Sequence, residues 1–153
     1  MRRRADPLTR REHRKIAGDL FNYTWSLLDR KDRSKEESDE MLHAAHASRY
    51  HWGHAGTPLN LSVGEWQVSR VYADLGRSEP ALYHGGRALQ IARRGHLGRF
   101  YLAYAYEALA RAAALAGKRR ARNLYLRQAR RLGASVRDRD DRRMLLEDLA
   151  TIP

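Results

Sequence analysis

From about residue 12 onward the chain has helical periodicity and no alternation of apolar and polar residues long enough for a strand. That restriction predicts an all-α fold. Glycine, proline and short polar residues break the pattern at 32–34, 53–58, 76–80, 95–98, 117 and 133–135. The breaks predict seven helices, over about 12–30, 35–53, 58–75, 79–94, 98–116, 118–132 and 138–150. Local chemistry supports several of these ends. Ser34 or Ser38 is the candidate cap of the second segment, with Glu37 three residues after Ser34. Thr57 precedes Pro58 at a first helical position, Gly76 suits a C-terminal cap, and Gly117 ends the fifth segment. Short turns predict antiparallel neighbours. The 153 residues suffice for one domain over 12–153, preceded by a basic tail over 1–11 that lacks apolar period and is expected to be disordered.

Two stretches repeat a pattern. Val71, Tyr72, Ala73, Asp74, Leu75 and Gly76 are followed by Ala81, Ala88 and Leu89. Ala112 to Ala116 and Gly117 are followed by Ala121, Tyr125 and Ala129, with the two glycines 41 residues apart. The pattern resembles the tetratricopeptide family in a degenerate, long-helix form. In that family a small residue and a glycine close the first helix, and alanines let the second pack tightly. The period exceeds the usual one of about 34 residues, and Ala121 follows its glycine by four positions where Ala81 follows by five. The resemblance covers residues 60–132. It implies stacked helix pairs with a concave face, and partner binding more often than catalysis.

Charge narrows the function classes. Lys+Arg is 30 against Asp+Glu 18, a net charge of +12, and only four of the bases are lysine. The excess sits at the ends: residues 1–15 carry +5, 117–143 carry +8, and 16–116 carry +1. Basic ends favour anionic partners. The sixth segment holds Arg119, Arg120, Arg122, Arg127, Arg130 and Arg131 on the faces left by a stripe of Ala121, Leu124, Tyr125, Gln128 and Leu132. Without interleaved aromatics or a reading motif, it predicts nonspecific nucleic-acid association at most. A solvated surface explains the same arginines. The chain has no cysteine, which excludes disulfides and thiol catalysis. No apolar run reaches membrane-spanning length and no apolar signal core follows Met1, so no membrane partner and a cytoplasmic location are expected.

Polar residues inside apolar faces mark the candidate site. Residues 100–116 contain two charged side chains, Glu107 and Arg111, at the favourable i, i+4 order. A helix apolar on all sides is buried, so the pair either locks packing or floors a charged pocket. In the third segment Glu65 interrupts the stripe Leu61, Val68, Tyr72 and Leu75, with Trp66 beside it and Arg70 well round from it. Tyr104 is among the aromatics of the fifth segment. In the second segment Asp39, His43, His46, Tyr50 and His54 share one face, with Glu40 and His51 beside it. Trp25, Trp52 and Trp66 lie on three segments, as core or around one pocket.

Three readings follow. The first is a binding module that turns Asp39, His43, His46, Tyr50, Glu65, Trp66, Arg70, Tyr104, Glu107 and Arg111 toward a peptide, a protein or a small polar ligand. The second places a divalent transition metal on His43 and His46 with Glu65 or Glu107, as a binding protein or an enzyme. No metalloprotease His-Glu-x-x-His and no second Glu-x-x-His arm accompany Glu40 and His43. The third is the basic nucleic-acid surface. No dinucleotide or P-loop glycine motif is present, so no organic cofactor is expected. An apolar patch on an end helix would allow a homodimer. The first reading is favoured.

Overall fold

The computed structural model describes residues 6–153 and consists of seven α-helices there, with no strand among the described residues. They are α1 (Arg10–Leu28), α2 (Lys35–Ala55), α3 (Pro58–Asp74), α4 (Ser78–Arg94), α5 (Arg99–Leu115), α6 (Arg119–Gly133) and α7 (Arg139–Ala150). The expected count and order hold, and the ends move by a few residues. Residues 1–5 of the expected tail lie outside the described residues. Its remainder contributes Thr9, which caps α1 in a capping box with Glu12, so α1 begins at Arg10. Gly53 does not end α2. One interior glycine costs about 1 kcal/mol, and the helix runs on to buried Ala55.

The strongest packing is within the consecutive pairs α1–α2, α3–α4 and α5–α6, with α4–α5 and α2–α3 joining one pair to the next. The odd-numbered helices also touch in series, α1 to α3, α3 to α5 and α5 to α7, whereas α2, α4 and α6 make no comparable contact with one another. The odd helices therefore form the inner of two layers, and α7 packs on α5 and α6 at the end of the stack. This arrangement is compatible with a helical repeat.

Gly76 and Gly117 have φ of +74° and +70° and end α3 and α5 alike. In each case the next residue's N–H bonds back across the turn, Arg77 to the Tyr72 carbonyl at 2.8 Å and Lys118 to the Ala113 carbonyl at 2.9 Å. These are glycine-closed helix caps. α4 ends similarly, but there the positive φ falls on His96 at +49°.

Small residues set the helix spacing. Ala81, Ala88 and Ala92 are fully buried on α4, and a Cβ on Gly85 would stand 3.3 Å from both Leu109 and Ser69. α4 thus rests close on α3 and α5. One core cluster joins Leu27, Met41, Ala45, Val68 and Val71 from α1, α2 and α3. A second joins Ala103, Tyr104, Ala129, Leu145 and Leu149 from α5, α6 and α7. The stripe expected on α6 is corrected: Ala121, Tyr125, Gln128 and Leu132 are only partly buried, Leu124 is 46% exposed, and the buried positions are Ala129 and Gly133. α7 packs on α6 at those two positions, through Leu145 and Leu149.

Candidate functional site

The inner layer holds a half-open pocket of about 340 Å³. Trp25 of α1, Val63 and Trp66 of α3, Phe100 and Tyr104 of α5, and Asp148 of α7 are among its walls. The rings pack against one another. Trp25 and Trp66 centroids are 5.5 Å apart, Trp66 and Tyr104 meet edge-on at 5.4 Å, and Phe100 meets Tyr104 edge-on at 5.0 Å. Such offset and edge contacts are favourable geometries for aromatic pairs. The lining is predominantly apolar. Its polar points are few and fixed: the Tyr104 hydroxyl donates to the Asp148 carboxylate at 2.7 Å. Burial first, and Asp148 second, push the Tyr104 hydroxyl well above the usual tyrosine pKa, so it remains a donor.

Beside the pocket lies fully buried Glu107. Its carboxylate accepts the Trp66 indole N–H at 3.0 Å, Arg111 Nε at 2.8 Å and Arg70 at 3.4 Å. Arg111 also donates to the Asp148 carbonyl and to Thr151, each on the C-terminal side of α7. One carboxylate therefore ties α3, α5 and α7 together and sets the Trp66 wall of the pocket. Two arginines and two carboxylates, Glu107 and Asp148, meet there, so the formal charges balance, and Arg70 is the more solvent-reached of the two arginines.

Trp66, Arg70, Tyr104, Glu107 and Arg111 therefore assemble on one face. Trp25 joins them, whereas Trp52 stands apart under the Arg14 guanidinium. Glu65 and His46 belong to a different place, the seam of α2, α3 and α4. Glu65 is buried and accepts from Arg49 at 3.0 Å and shares a 2.6 Å hydrogen bond with His84 Nδ1. Burial raises its pKa, but His84 and Arg49 outweigh that and hold it below the ordinary carboxylate value. His46 Nε2 lies 2.9 Å from the Tyr72 hydroxyl. Desolvation first, then the neighbouring His84, lowers its pKa. Asp39 and His43 are exposed on α2 and join neither cluster. Tyr50, 61% exposed, lays its ring against His54 and His51.

The expected metal pair does not gather a third ligand. Among the described residues, the group whose donor atoms converge is Asp6, His13 and His54, not His43 and His46 with Glu65 or Glu107. Glu107 is held by Trp66 and two arginines on the inner layer, away from that seam. On α6, Arg119, Arg120, Arg127, Arg130 and Arg131 are exposed, whereas Arg122 donates to the Pro153 carbonyl at 2.7 Å.

Reading the residues in order missed Phe100, Asp148, Arg49, His84 and His13. Phe100 is one aromatic among several on an apolar helix. Asp148 sits on the short last helix, with nothing local to tie it to Tyr104. No family model matches this chain, and neither does any curated protein or solved structure compared with it.

Proposed function

We propose that this chain is a tetratricopeptide-like binding module that takes a large apolar or aromatic side chain of a peptide segment into the inner pocket. The carrying observation is the aromatic cavity walled by all four odd-numbered helices. Its volume lies near the lower end of the range for ligand pockets, about 300–1,000 Å³. One or two side chains fill such a space. The paired packing and the matched glycine caps of α3 and α5 support the repeat reading. Arg70, one helical turn beyond Trp66 on α3, lines a separate groove with Arg111 and Thr151, where its long contact to Glu107 leaves guanidinium capacity for a peptide carboxylate or carbonyl. Glu107 holds Trp66 and Asp148 holds Tyr104, and Trp25 packs on Trp66, so little ordering accompanies binding.

The test is selection from a displayed random-peptide library on the immobilised protein, repeated with Val63→Trp, which plugs the cavity from α3. Enriched peptides are expected to share a large apolar or aromatic residue and to bind the parent protein but not the plugged variant. No enrichment, or equal binding to Val63→Trp, would refute the reading.

A further inference from the structure

Away from the pocket, the N-terminal part of α1 meets the C-terminal part of its antiparallel partner α2. Three imidazoles and a carboxylate converge there. His13 is only 3% exposed. Its Nε2 lies 2.9 Å from Asp6 Oδ2, and His54 Nδ1 lies 3.3 Å from the same oxygen. The two rings stack 4.3 Å apart and 7° from parallel. One donor atom from each of the three residues lies within 4.8 Å of the others. On its other edge, His13 Nδ1 is 2.7 Å from His51 Nδ1. Asp6 is held in place through its second oxygen, which accepts the Leu8 backbone N–H at 3.0 Å.

We infer that Asp6, His13 and His54 form a binding site for a divalent transition-metal ion, with His51 as the positioning residue behind His13. Two imidazole nitrogens and one carboxylate oxygen suit zinc, nickel or ferrous iron, and three protein donors leave the remaining positions to solvent. The hydrogen bonds behind the ligands have the form that metal sites use. A ligating imidazole commonly gives its other ring N–H to a neighbour, which fixes tautomer and orientation. His51 stands where it can accept that N–H from His13. The carboxylate oxygen that does not face the imidazoles is likewise occupied, by Leu8.

The arrangement specifies proton positions. With both rings neutral and no metal bound, the carboxylate only accepts, so His13 carries its proton on Nε2 and gives it to Asp6. Its Nδ1 then accepts, and His51 must donate from Nδ1. With metal on His13 Nε2, that nitrogen offers its lone pair. The His13 proton moves to Nδ1 and points at His51 Nδ1, which now accepts, and His51 carries its own proton on Nε2. Each neutral ring keeps one proton, and both exchange tautomer.

The experiment titrates chelator-stripped, untagged full-length protein with Zn²⁺ alone, by calorimetry, and with Co²⁺ alone, by visible absorption. Parallel titrations use Asp6→Ala/His54→Ala, His51→Ala and His43→Ala/His46→Ala, each first checked for helix content. One equivalent is expected to bind the parent protein. The Asp6/His54 double variant, whose altered positions are partly exposed, is expected to lose at least about tenfold in affinity, and His51→Ala about tenfold. The His43/His46 variant is expected to bind like the parent. ¹⁵N spectra of the histidine rings are expected to show His13 and His51 exchanging tautomers on Zn²⁺ addition. No stoichiometric uptake, or equal affinity in the Asp6/His54 variant, would overturn the inference. Uptake with unchanged His13 and His51 tautomers would also overturn it. The site shares no residue with the aromatic pocket, so these outcomes stand apart from those of the peptide selection.

Discussion

Replacing Glu107 by glutamine tests what holds the inner layer. The substitution keeps volume and shape but removes the charge and one acceptor. In the parent protein one carboxylate oxygen takes the Trp66 N–H, and the other takes Arg111 and Arg70. A glutamine has a single acceptor oxygen, and its NH₂ group only donates. If the oxygen faces the arginines, the NH₂ opposes the indole N–H; if it turns, the NH₂ opposes two guanidinium groups. Either orientation strands a donor, at about 1–3 kcal/mol. The surviving bonds also lose their charge assistance, which roughly halves their strength. Arg70 and Arg111 retain 24% and 15% side-chain exposure, so solvent recovers part of that loss. The expected total is about 2–4 kcal/mol, against about 3–5 kcal/mol for breaking a buried ion pair outright. Urea unfolding followed by far-UV circular dichroism reads it as a lower midpoint with an unchanged slope. In a Trp66→Phe background, which has no indole N–H, glutamine is expected to cost about 1 kcal/mol less. A loss below about 1 kcal/mol in the parent background would refute the claim that this carboxylate ties α3, α5 and α7 together.

Three further outcomes are expected. His96→Gly relieves the +49° φ at the end of α4 and raises the urea midpoint, by up to about 1 kcal/mol in stability. Gly133→Ala lowers stability by about 1–3 kcal/mol, because its Cβ would stand 2.6 Å from Leu145 Cδ2 in the α6–α7 contact. The pH dependence has two stages of one sign. His46 has a folded pKa below 6.5, so from about 6.5 downward the unfolded chain takes a proton first and stability declines until the folded group titrates. Glu65 repeats this below 4.5, its stabilisation being lost as pH falls through its lowered folded pKa. Urea midpoints across pH check both stages: His46→Gln should lessen the upper decline, which His51 shares, and Glu65→Gln the lower, which Asp6, Glu12 and Glu37 share.

The helices were legible because their ends are local chemistry. Thr57 with Pro58, Ser34 with Glu37, Gly76 and Gly117 each act within a few residues of the boundary they set. Thr9 and Glu12 make the same capping box as Ser34 and Glu37, yet the surrounding basic tail masked it. Half of the inner site was legible for a different reason. Glu107 and Arg111 stand out as charge on an otherwise apolar helix, and burial obliges them to have partners. Which partners they have is not local: Trp66 is 41 residues from Glu107, and Tyr104 reaches Asp148 over 44. The histidines show the limit of spacing most directly. His43 and His46 share a helix face, which says where their side chains leave α2 but not what they meet. The ring that completes the converging group, His13, comes from α1, where it occupies an ordinary core position.

The unequal contact between the two layers has a mechanical consequence. The outer helices α2, α4 and α6 do not brace one another, whereas the inner helices touch in series. Such a stack is stiff against closing, which compresses the inner side chains, and compliant toward opening, which no outer contact opposes. Opening moves α7 away from α5 and separates Asp148 from Tyr104 and Arg111. The width of the aromatic pocket is therefore set by a spring with one soft direction, and its latch is the seat of the last helix: its polar contacts to α5 together with the apolar cluster of Leu145 and Leu149 on α5 and α6.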